Sequence, residues 1–434
     1  MRSMIIAVGC IFASLAIRAE PAKMSVAGEW QVKIVTDNAS AVLNIEPAEQ
    51  ISVTSEKIKA LPLYNPKAAQ YARGRKLAGI RAKECTVRFA MDPDSLVVRT
   101  AQGNKPLVRG KDYEAELTWG CIGRLEGGAI ASATPVVASY RYGKMRLDSA
   151  VLTSSGKIEL RKGVGHVSIP VPPALTTGER RLGNIWVTAS LKKLDDVSLF
   201  PVLEQKYPES RGSALSTAEK LLPKTMAKLK ANGKVRILAW GDSVTDGGYL
   251  PDPKKNRWQQ QFIRRLRARY PKAEIVLISE AWGGRSTGSY FNEPPGSKHN
   301  YREKVLALKP DLIVSEFVND AGLNEASVYQ RYGRIRDDFK AIGAEWIILT
   351  PHYVRPDKMG LKAQKNIDED PRAYVKAIRK FSAENNIALA EGSLRYGRLW
   401  RQGIPYLTLL MNNINHPDPY GMGLFADALM QLFP

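Results

Sequence analysis

Ser243 occupies a position where a hydroxyl group could do chemistry. It follows an apolar run, residues 235–240, that contains Val, Ile and Trp and is typical of a buried strand. A serine directly after such a strand lies at its carboxyl end, where open α/β sheets bind their ligands. The hydroxyl could act as a nucleophile if a base and an oxyanion site lie nearby. The surrounding Gly-Asp-Ser sequence is also typical of a simple turn, so further evidence has to come from the rest of the chain.

Later stretches contain the groups that such a nucleophile needs. Gly284, in a Gly-Gly-Arg sequence, follows a second apolar run at 275–278, and Asn319 follows a third at 312–317. The carboxyl ends of parallel strands meet at one edge of a sheet, so these residues are expected beside the serine. His416, near the end of the chain, is a candidate general base.

Elements that could position these residues alternate along the second half of the chain. Helical stripes, such as Trp258, Phe262 and Leu266, lie between apolar runs and repeat at a spacing of four residues. Five strands are predicted, at 235–240, 275–278, 312–317, 346–350 and 387–390. Strands that alternate with helices predict an α/β fold, a five-stranded parallel sheet with helices on both faces.

The first half of the chain has a different pattern, in which short runs alternate apolar and polar residues between Gly-rich turns. Strands are predicted at 30–35, 85–90, 136–142, 150–153, 166–170 and 185–191. Such strands predict a β-sandwich or jelly-roll-like module. We therefore divide the chain into a leader at 1–19, a β-rich accessory domain at 20–205, a linker and helix at 206–234, and an α/β domain at 235–434.

The leader has the features of a secretory signal peptide. Arg2 precedes an apolar run at 5–17, and Ala19 offers a small residue for cleavage. This pattern predicts a secreted or periplasmic protein. A lipoprotein signal with Cys10 as the attachment site is the alternative. No later segment is predicted to span a membrane.

The composition is that of an ordinary globular protein, with 44% hydrophobic and 25% charged residues, but the formal net charge is +21. A nucleic-acid partner is disfavoured because the basic residues are spread along the chain and export removes most such partners. An anionic extracellular polysaccharide fits the charge better, and a surface charged for solubility is the alternative. Cys85 and Cys121 remain after cleavage, and their pairing cannot be deduced from spacing. No motif predicts a metal or a cofactor, and the sequence leaves the oligomeric state open.

The second half of the chain thus contains four sequence blocks, which carry Ser243, Gly284, Asn319 and His416 in that order. Together they resemble the blocks of the SGNH hydrolase superfamily, also called GDSL esterases. The resemblance covers residues 235–434. Within that superfamily, the sequence is most similar to the carbohydrate acetylesterases. It implies that Ser243 is the nucleophile and His416 the base. It also implies an oxyanion hole formed by the backbone N–H groups of Ser243 and Gly284 and the side-chain amide of Asn319.

The sequence departs from this family at the position of the triad acid, which holds Asn413. An amide oxygen can accept the ring N–H of the histidine but supplies no charge to stabilise the imidazolium. A Ser-His dyad oriented by Asn413 or a backbone carbonyl is the favoured interpretation. The alternatives are an acid from elsewhere, with Asp418 and Glu391 as candidates, or a degenerate, slow site.

The resemblance implies an exported esterase that removes acyl groups, above all acetyl, from carbohydrate. Arg285 and His352 are candidate substrate-binding residues, because one lies in the second block and the other follows the fourth strand. A lipase or thioesterase of the same fold is one alternative. A glycan-binding protein with little or no catalysis is the other.

Overall fold

The computed structural model describes residues 20–209 and 215–434. The predicted signal peptide, including Cys10, lies outside the described residues. Within them, no helix combines the length and the apolar character needed to cross a membrane.

Residues 23–201 form a β-rich domain, as predicted. Its pairings are antiparallel and divide the described strands among small sheets, in the orders β1-β2-β3, β4-β11-β8, β5-β10-β9, β13-β12-β14-β15 and β6-β7. The strands are β1 Lys23–Gly28, β2 Gln31–Val35, β3 Ser40–Asn44, β4 Gln50–Ile58, β5 Arg75–Lys76, β6 Arg81–Ala82, β7 Cys85–Thr86, β8 Val97–Thr100, β9 Tyr113–Glu116, β10 Cys121–Arg124, β11 Val136–Gly143, β12 Arg146–Leu152, β13 Ile158–Arg161, β14 Arg180–Val187 and β15 Leu199–Pro201.

Several predicted strands differ in extent from the observed ones. The run at 185–191 forms a strand at Arg180–Val187, and the run at 150–153 belongs to a longer strand at Arg146–Leu152.

Two further runs are mostly not strands. The alternating run at 85–90 forms a strand only at Cys85–Thr86, because Phe89 adopts a left-handed backbone conformation with φ of 61° that ends the extended chain. The run at 166–170 contributes only an isolated bridge from His166 to Met145. Cys85 and Cys121 are buried free thiols that pack in one small cluster with Trp119.

Residues 234–430 form the predicted three-layer α/β domain. Its five strands run parallel in the order β17-β16-β18-β19-β20, with bounds β16 Lys234–Gly241, β17 Glu274–Ala281, β18 Leu312–Glu316, β19 Glu345–Leu349 and β20 Ala388–Ala390. The helices of the described chain are α1 Thr217–Leu221, α2 Pro223–Lys230, α3 Ser243–Asp246, α4 Pro253–Asn256, α5 Trp258–Arg269, α6 Thr287–Phe291, α7 Glu325–Ala341, α8 Ala373–Glu384, α9 Gly392–Gly397 and α10 Pro419–Met430.

Both faces of this sheet are covered, because side chains alternate between two apolar clusters along each central strand. On β16, Ile237 and Ala239 belong to the cluster that includes α5 and α10, whereas Leu238 and Trp240 belong to the cluster that includes α7 and α8. Burial on both faces fixes the register of the sheet and therefore the positions of the strand ends.

The β-rich domain packs against the α/β domain through its last strand. Phe200 of β15 is 1% exposed and belongs to the apolar core of the α/β domain. Nearby, the side-chain amide of Asn184 donates to the carbonyl of Gly403 at 2.7 Å, and the N–H of Leu203 donates to the carbonyl of Arg401 at 2.7 Å. The two domains therefore share one core.

We predict that Phe200→Ala lowers the free energy of unfolding by about 3–5 kcal/mol, because it opens a cavity in a close-packed core. Urea denaturation followed by tryptophan fluorescence measures this change. Val42→Ala, at a residue that is 52% exposed, is the control and is expected to be nearly neutral. A Phe200→Ala protein as stable as the Val42→Ala control would show that the domains do not share a core.

Candidate active site

Ser243 lies at a sharp turn from strand to helix. Gly241 ends β16, and a Cβ atom there would lie 2.5 Å from the carbonyl oxygen of Glu316, so only glycine fits. Asp242 caps α3 by accepting the Val244 N–H at 3.0 Å, and Ser243 is the first helical residue. The half-buried Ser243 hydroxyl therefore lies at the carboxyl end of the central strand, as the sequence predicts.

His416 lies next to this hydroxyl, with its Nε2 3.1 Å from the Ser243 Oγ. A turn organised by the buried Asn412 holds the histidine in place. The Asn412 side-chain oxygen accepts the backbone N–H groups of Ile414, Asn415 and His416 at 2.8–3.0 Å. The distance from His416 to Ser243 is within the reach of proton transfer.

Tyr249 packs flat against the His416 ring. The two ring centres are 4.1 Å apart and the planes differ by 4°. Tyr249 is 9% exposed, and its hydroxyl has no hydrogen-bond partner among the described residues. The aromatic face therefore fixes the plane of the imidazole and can stabilise its protonated form.

The other ring nitrogen of His416 contacts a carboxylate from the β-rich domain. Glu84 Oε2 lies 3.1 Å from His416 Nδ1. Glu84 belongs to the tight hairpin between β6 and β7, and its side chain is 50% exposed. Desolvation alone would raise the pKa of Glu84, but its hydrogen bond to His416 and the attraction between their charges lower the pKa overall. Ser243, His416 and Glu84 are thus connected in the order in which the groups of a serine-hydrolase triad are hydrogen-bonded.

Asn319 and Gly284 lie beside the serine as the sequence predicts. Asp242 Oδ2 accepts both the backbone N–H and the side-chain amide of Asn319, at 3.0 and 2.9 Å, which leaves one amide hydrogen for a ligand. In the loop after β17, a Cβ atom built on Gly283 would lie 3.8 Å from the Ser243 Cβ, and Gly284 follows in a left-handed conformation with φ of 73°. The three predicted oxyanion donors therefore come from neighbouring loops at one sheet edge.

Asp320 connects the two loops that carry these donors. Its carboxylate accepts the backbone N–H of Thr287 at 3.1 Å and the Tyr332 hydroxyl at 3.0 Å. Burial raises the pKa of Asp320 above its usual value, although these hydrogen bonds oppose the shift. The link ties the Gly284 loop to the Asn319 loop beneath the site.

A family model for the GDSL-like lipase/acylhydrolase family matches residues 239–424. These residues form a GDSL-like lipase/acylhydrolase domain. The matched range contains Ser243, Gly284, Asn319 and His416 but not Glu84. The resemblance stated from the sequence is therefore confirmed for the α/β domain, which belongs to an ester-hydrolysing family.

Several solved structures are similar to this hydrolase domain. One is a two-domain esterase (CEX) active on acetylated mannans, with 18% identity over 49% of this chain and 51% of that chain and a TM-score of 0.39. Another is an acetyl xylan esterase from Geobacillus stearothermophilus, with 20% identity over 45% of this chain and 93% of that chain and a TM-score of 0.34. The match to the two-domain esterase spans only about half of its length. No curated protein matches the chain.

The expectation that Asn413 orients His416 is wrong. Asn413 has a left-handed backbone, with φ of 57°, and its side-chain oxygen accepts the backbone N–H of Arg88 at 3.4 Å. Its Nδ2 has no partner among the described residues. The side chain therefore joins the loop of the hydrolase domain to the β-rich domain, and the imidazole is held by Glu84 instead.

The two acids considered as replacements have other partners. Glu391 accepts hydrogen bonds from Arg379 at 2.8 and 3.0 Å. Asp418 caps α10 by accepting the Gly421 N–H at 2.7 Å, and burial raises its pKa to about 7. The carboxylate that contacts His416 comes from elsewhere in the chain, from a residue that the sequence did not single out.

The two candidate substrate-binding residues differ in their environment. His352 is fully buried, and its Nε2 lies 2.7 Å from the Asn415 carbonyl oxygen, which assigns the ring proton to Nε2. Burial moves the pKa of His352 well below its usual value, so it supports the His416 loop as a neutral ring and does not line the substrate site. Arg285 is exposed, stacks at 5.0 Å on Trp282, and stays a candidate for substrate contact.

Sequence reasoning missed Glu84, Tyr249 and Asn412. Glu84 lies 332 residues from His416 along the chain, and no local pattern marks it. The sequence offers one indirect signal. Asn413 stands at the acid position although the other blocks are present, which indicates that an acid would have to come from outside these blocks. Tyr249 follows the nucleophile in a loop that looks polar.

We predict that Tyr249→Leu lowers kcat/KM for ester hydrolysis about two- to tenfold, because stacking contributes roughly 0.5–1.5 kcal/mol. Tyr249→Phe is the matched control and keeps the wild-type rate, since the hydroxyl bonds to no described residue. Equal rates for the two variants would contradict this role.

Proposed function

We propose that the protein is an exported serine esterase that removes acyl groups, above all acetyl, from carbohydrate. The observation that supports this most strongly is the series from Ser243 through His416 to Glu84, with both contacts at 3.1 Å. A degenerate site would not need a carboxylate placed against the far nitrogen of the base. The charge that Asn413 lacks is supplied by Glu84.

The reaction runs through an acyl-enzyme. His416 Nε2 takes the proton of the Ser243 hydroxyl as the oxygen attacks the ester carbonyl, and Glu84 stabilises the imidazolium. The backbone N–H groups of Ser243 and Gly284 and the side-chain amide of Asn319 stabilise the oxyanion. The imidazolium then protonates the leaving sugar hydroxyl. Water, deprotonated by the same histidine, releases the carboxylic acid and regenerates Ser243.

The acetyl preference is supported by the open, polar surroundings of the nucleophile. Gly283 and Gly284 are exposed, and Arg285 beside them is charged and exposed. The loop after the serine, residues 251–257, is polar. A long acyl chain gains affinity from apolar walls, whereas an acetyl group needs little room. The sugar is inferred from the resemblance to carbohydrate acetylesterases and from the accessory domain that completes the site.

The test compares aryl esters of increasing acyl length. Wild type is expected to hydrolyse 4-nitrophenyl acetate faster than the decanoate, and Ser243→Ala is expected to lose at least about 10⁴-fold in kcat. Ser40→Ala, at an exposed serine of the β-rich domain, controls for the substitution. Release of acetate from a panel of acetylated polysaccharides then identifies the sugar.

Other outcomes would contradict this proposal. A preference for the decanoate would favour a lipase. If the Ser243→Ala variant turned over the ester at the wild-type rate, Ser243 could not be the nucleophile. Glycan binding with no turnover of any ester would indicate a binding protein.

A further inference from the structure

A cavity of about 390 Å³ lies between the two domains, and two of its lining residues are close in sequence to proposed catalytic groups. Its wall includes Asn413, three residues before His416, and Arg88, four residues after Glu84. The remaining wall comes from both domains, with apolar side chains such as Trp186 and Leu407. Its volume lies in the range of pockets that hold small ligands. It is therefore a candidate subsite for the molecule whose ester group reaches Ser243.

The charges in this wall do not balance. Arg88, Arg355 and Lys362 are cationic, and Asp357 is the one acidic residue among the described lining residues. Asp357 lies 2.8 Å from Arg355 and 4.0 Å from Arg88, so one carboxylate serves two guanidinium groups. The cavity thus has a formal charge of +2.

Arg355 carries a buried positive charge in this wall, where it stacks on the Trp119 ring at 4.5 Å. It is 5% exposed, and its Nε and Nη1 have no hydrogen-bond partner among the described residues. The Nε of Arg88 is also buried without a described partner. Burial lowers the pKa of Arg355 because water no longer stabilises its charge. An anion in the cavity would offset the excess positive charge of these side chains.

Phe89 supplies an apolar surface beside these cations. Its ring is 49% exposed and lines both this cavity and a neighbouring one of about 660 Å³. Its left-handed backbone is held by the hydrogen bond from its N–H to the Thr118 carbonyl at 2.8 Å. Strained residues of this kind are concentrated at binding sites. The Arg88 guanidinium covers one face of the ring at 4.5 Å, which leaves the rest for a ligand.

We propose that this cavity binds a sugar unit that carries an oxyanion, with the anion against Arg88 and Arg355 and the sugar ring beside Phe89. The proposal rests on the proposed function, since the bound unit belongs to the acylated carbohydrate. The planar, multiple N–H donors of arginine match a carboxylate or sulfate group. A fatty acyl chain fits less well, because it would leave the excess positive charge of the cavity wall without a counterion.

The basic run from Lys254 to Arg269 is a weaker candidate for the same role. Arg267 and Arg269 donate to backbone carbonyls of Ile275 and Phe433, and Arg265 pairs with Asp427. Several cations of this run are therefore used within the fold, and the run lines none of the cavity at the domain boundary.

The experiment measures binding to full-length Ser243→Ala protein by calorimetry. The probes are an oligogalacturonide, a sulfated oligosaccharide, a neutral xylo-oligosaccharide and decanoate. The oligogalacturonide or the sulfated probe is expected to bind more tightly than the neutral probe, and to weaken as salt rises. Which anionic probe binds distinguishes a carboxylate from a sulfate.

Adding Arg88→Gln to this protein is expected to raise the Kd of the anionic probe about tenfold, the effect of one lost charge-assisted hydrogen bond. The matched control is Lys33→Gln, which removes the same charge from an exposed position of β2 and should leave the Kd unchanged. If Arg88→Gln does not fold, as judged by its unfolding midpoint, Lys362→Gln replaces it, with a severalfold rise in Kd expected.

Equal affinity for neutral and anionic probes, or equal Kd values for the cavity variant and Lys33→Gln, would overturn the proposal. Tighter binding of decanoate would overturn it in favour of an acyl pocket. Wild-type hydrolysis of acetyl esters is measured separately. If it persists while anionic binding is absent, the esterase function stands and the anion subsite alone is rejected.

Discussion

The contact between His416 Nδ1 and Glu84 joins the two domains at the point where the chemistry occurs. In the proposed mechanism the hydrolase domain provides the nucleophile, the base and the oxyanion donors, but its own acid position holds Asn413. Without a carboxylate at Nδ1, neither the tautomer nor the charge of the imidazole is fixed. Glu84 lies 3.1 Å from Nδ1, where its carboxylate can fix the tautomer and stabilise the charge, so the proposed active site includes a residue of the β-rich domain.

This dependence places strict demands on the domain interface. A contact of 3.1 Å between groups in different domains persists only if the domains do not move relative to one another. Phe200 in the core of the hydrolase domain and the Arg88–Asn413 hydrogen bond both act against such motion. Asn413 therefore marks the loop of the hydrolase domain that contacts the β-rich domain.

The sequence predicted the hydrolase domain well for a physical reason. Its strands are buried on both faces and its helices on one, so their periods of hydrophobicity are strong, and the functional residues follow the strands directly. Ser243, Gly284, Asn319 and His416 lie together at one sheet edge, as predicted. The lengths of the short strands in the β-rich domain were harder to predict, since a single left-handed residue such as Phe89 ends an alternating run.

Contacts between distant segments could not be predicted in this way. Glu84 is an exposed glutamate in a two-residue hairpin turn, and only the packing of the two domains brings it to His416. His352 shows the converse error. It follows a strand and is therefore a candidate for the substrate site, yet it is buried behind the His416 loop and bonds to Asn415. Position at a strand end indicates proximity to the site, but not the direction of the side chain.

The most direct test of the account is a comparison of kcat/KM for wild type, Glu84→Gln and Glu49→Gln, which removes an exposed glutamate of the same domain. The account predicts a loss of about 10²-fold or more for Glu84→Gln, since a triad acid replaced by an amide can cost about 10⁴. Glu49→Gln should match wild type. A Glu84→Gln enzyme with the wild-type rate would show that His416 acts without an acid from the β-rich domain.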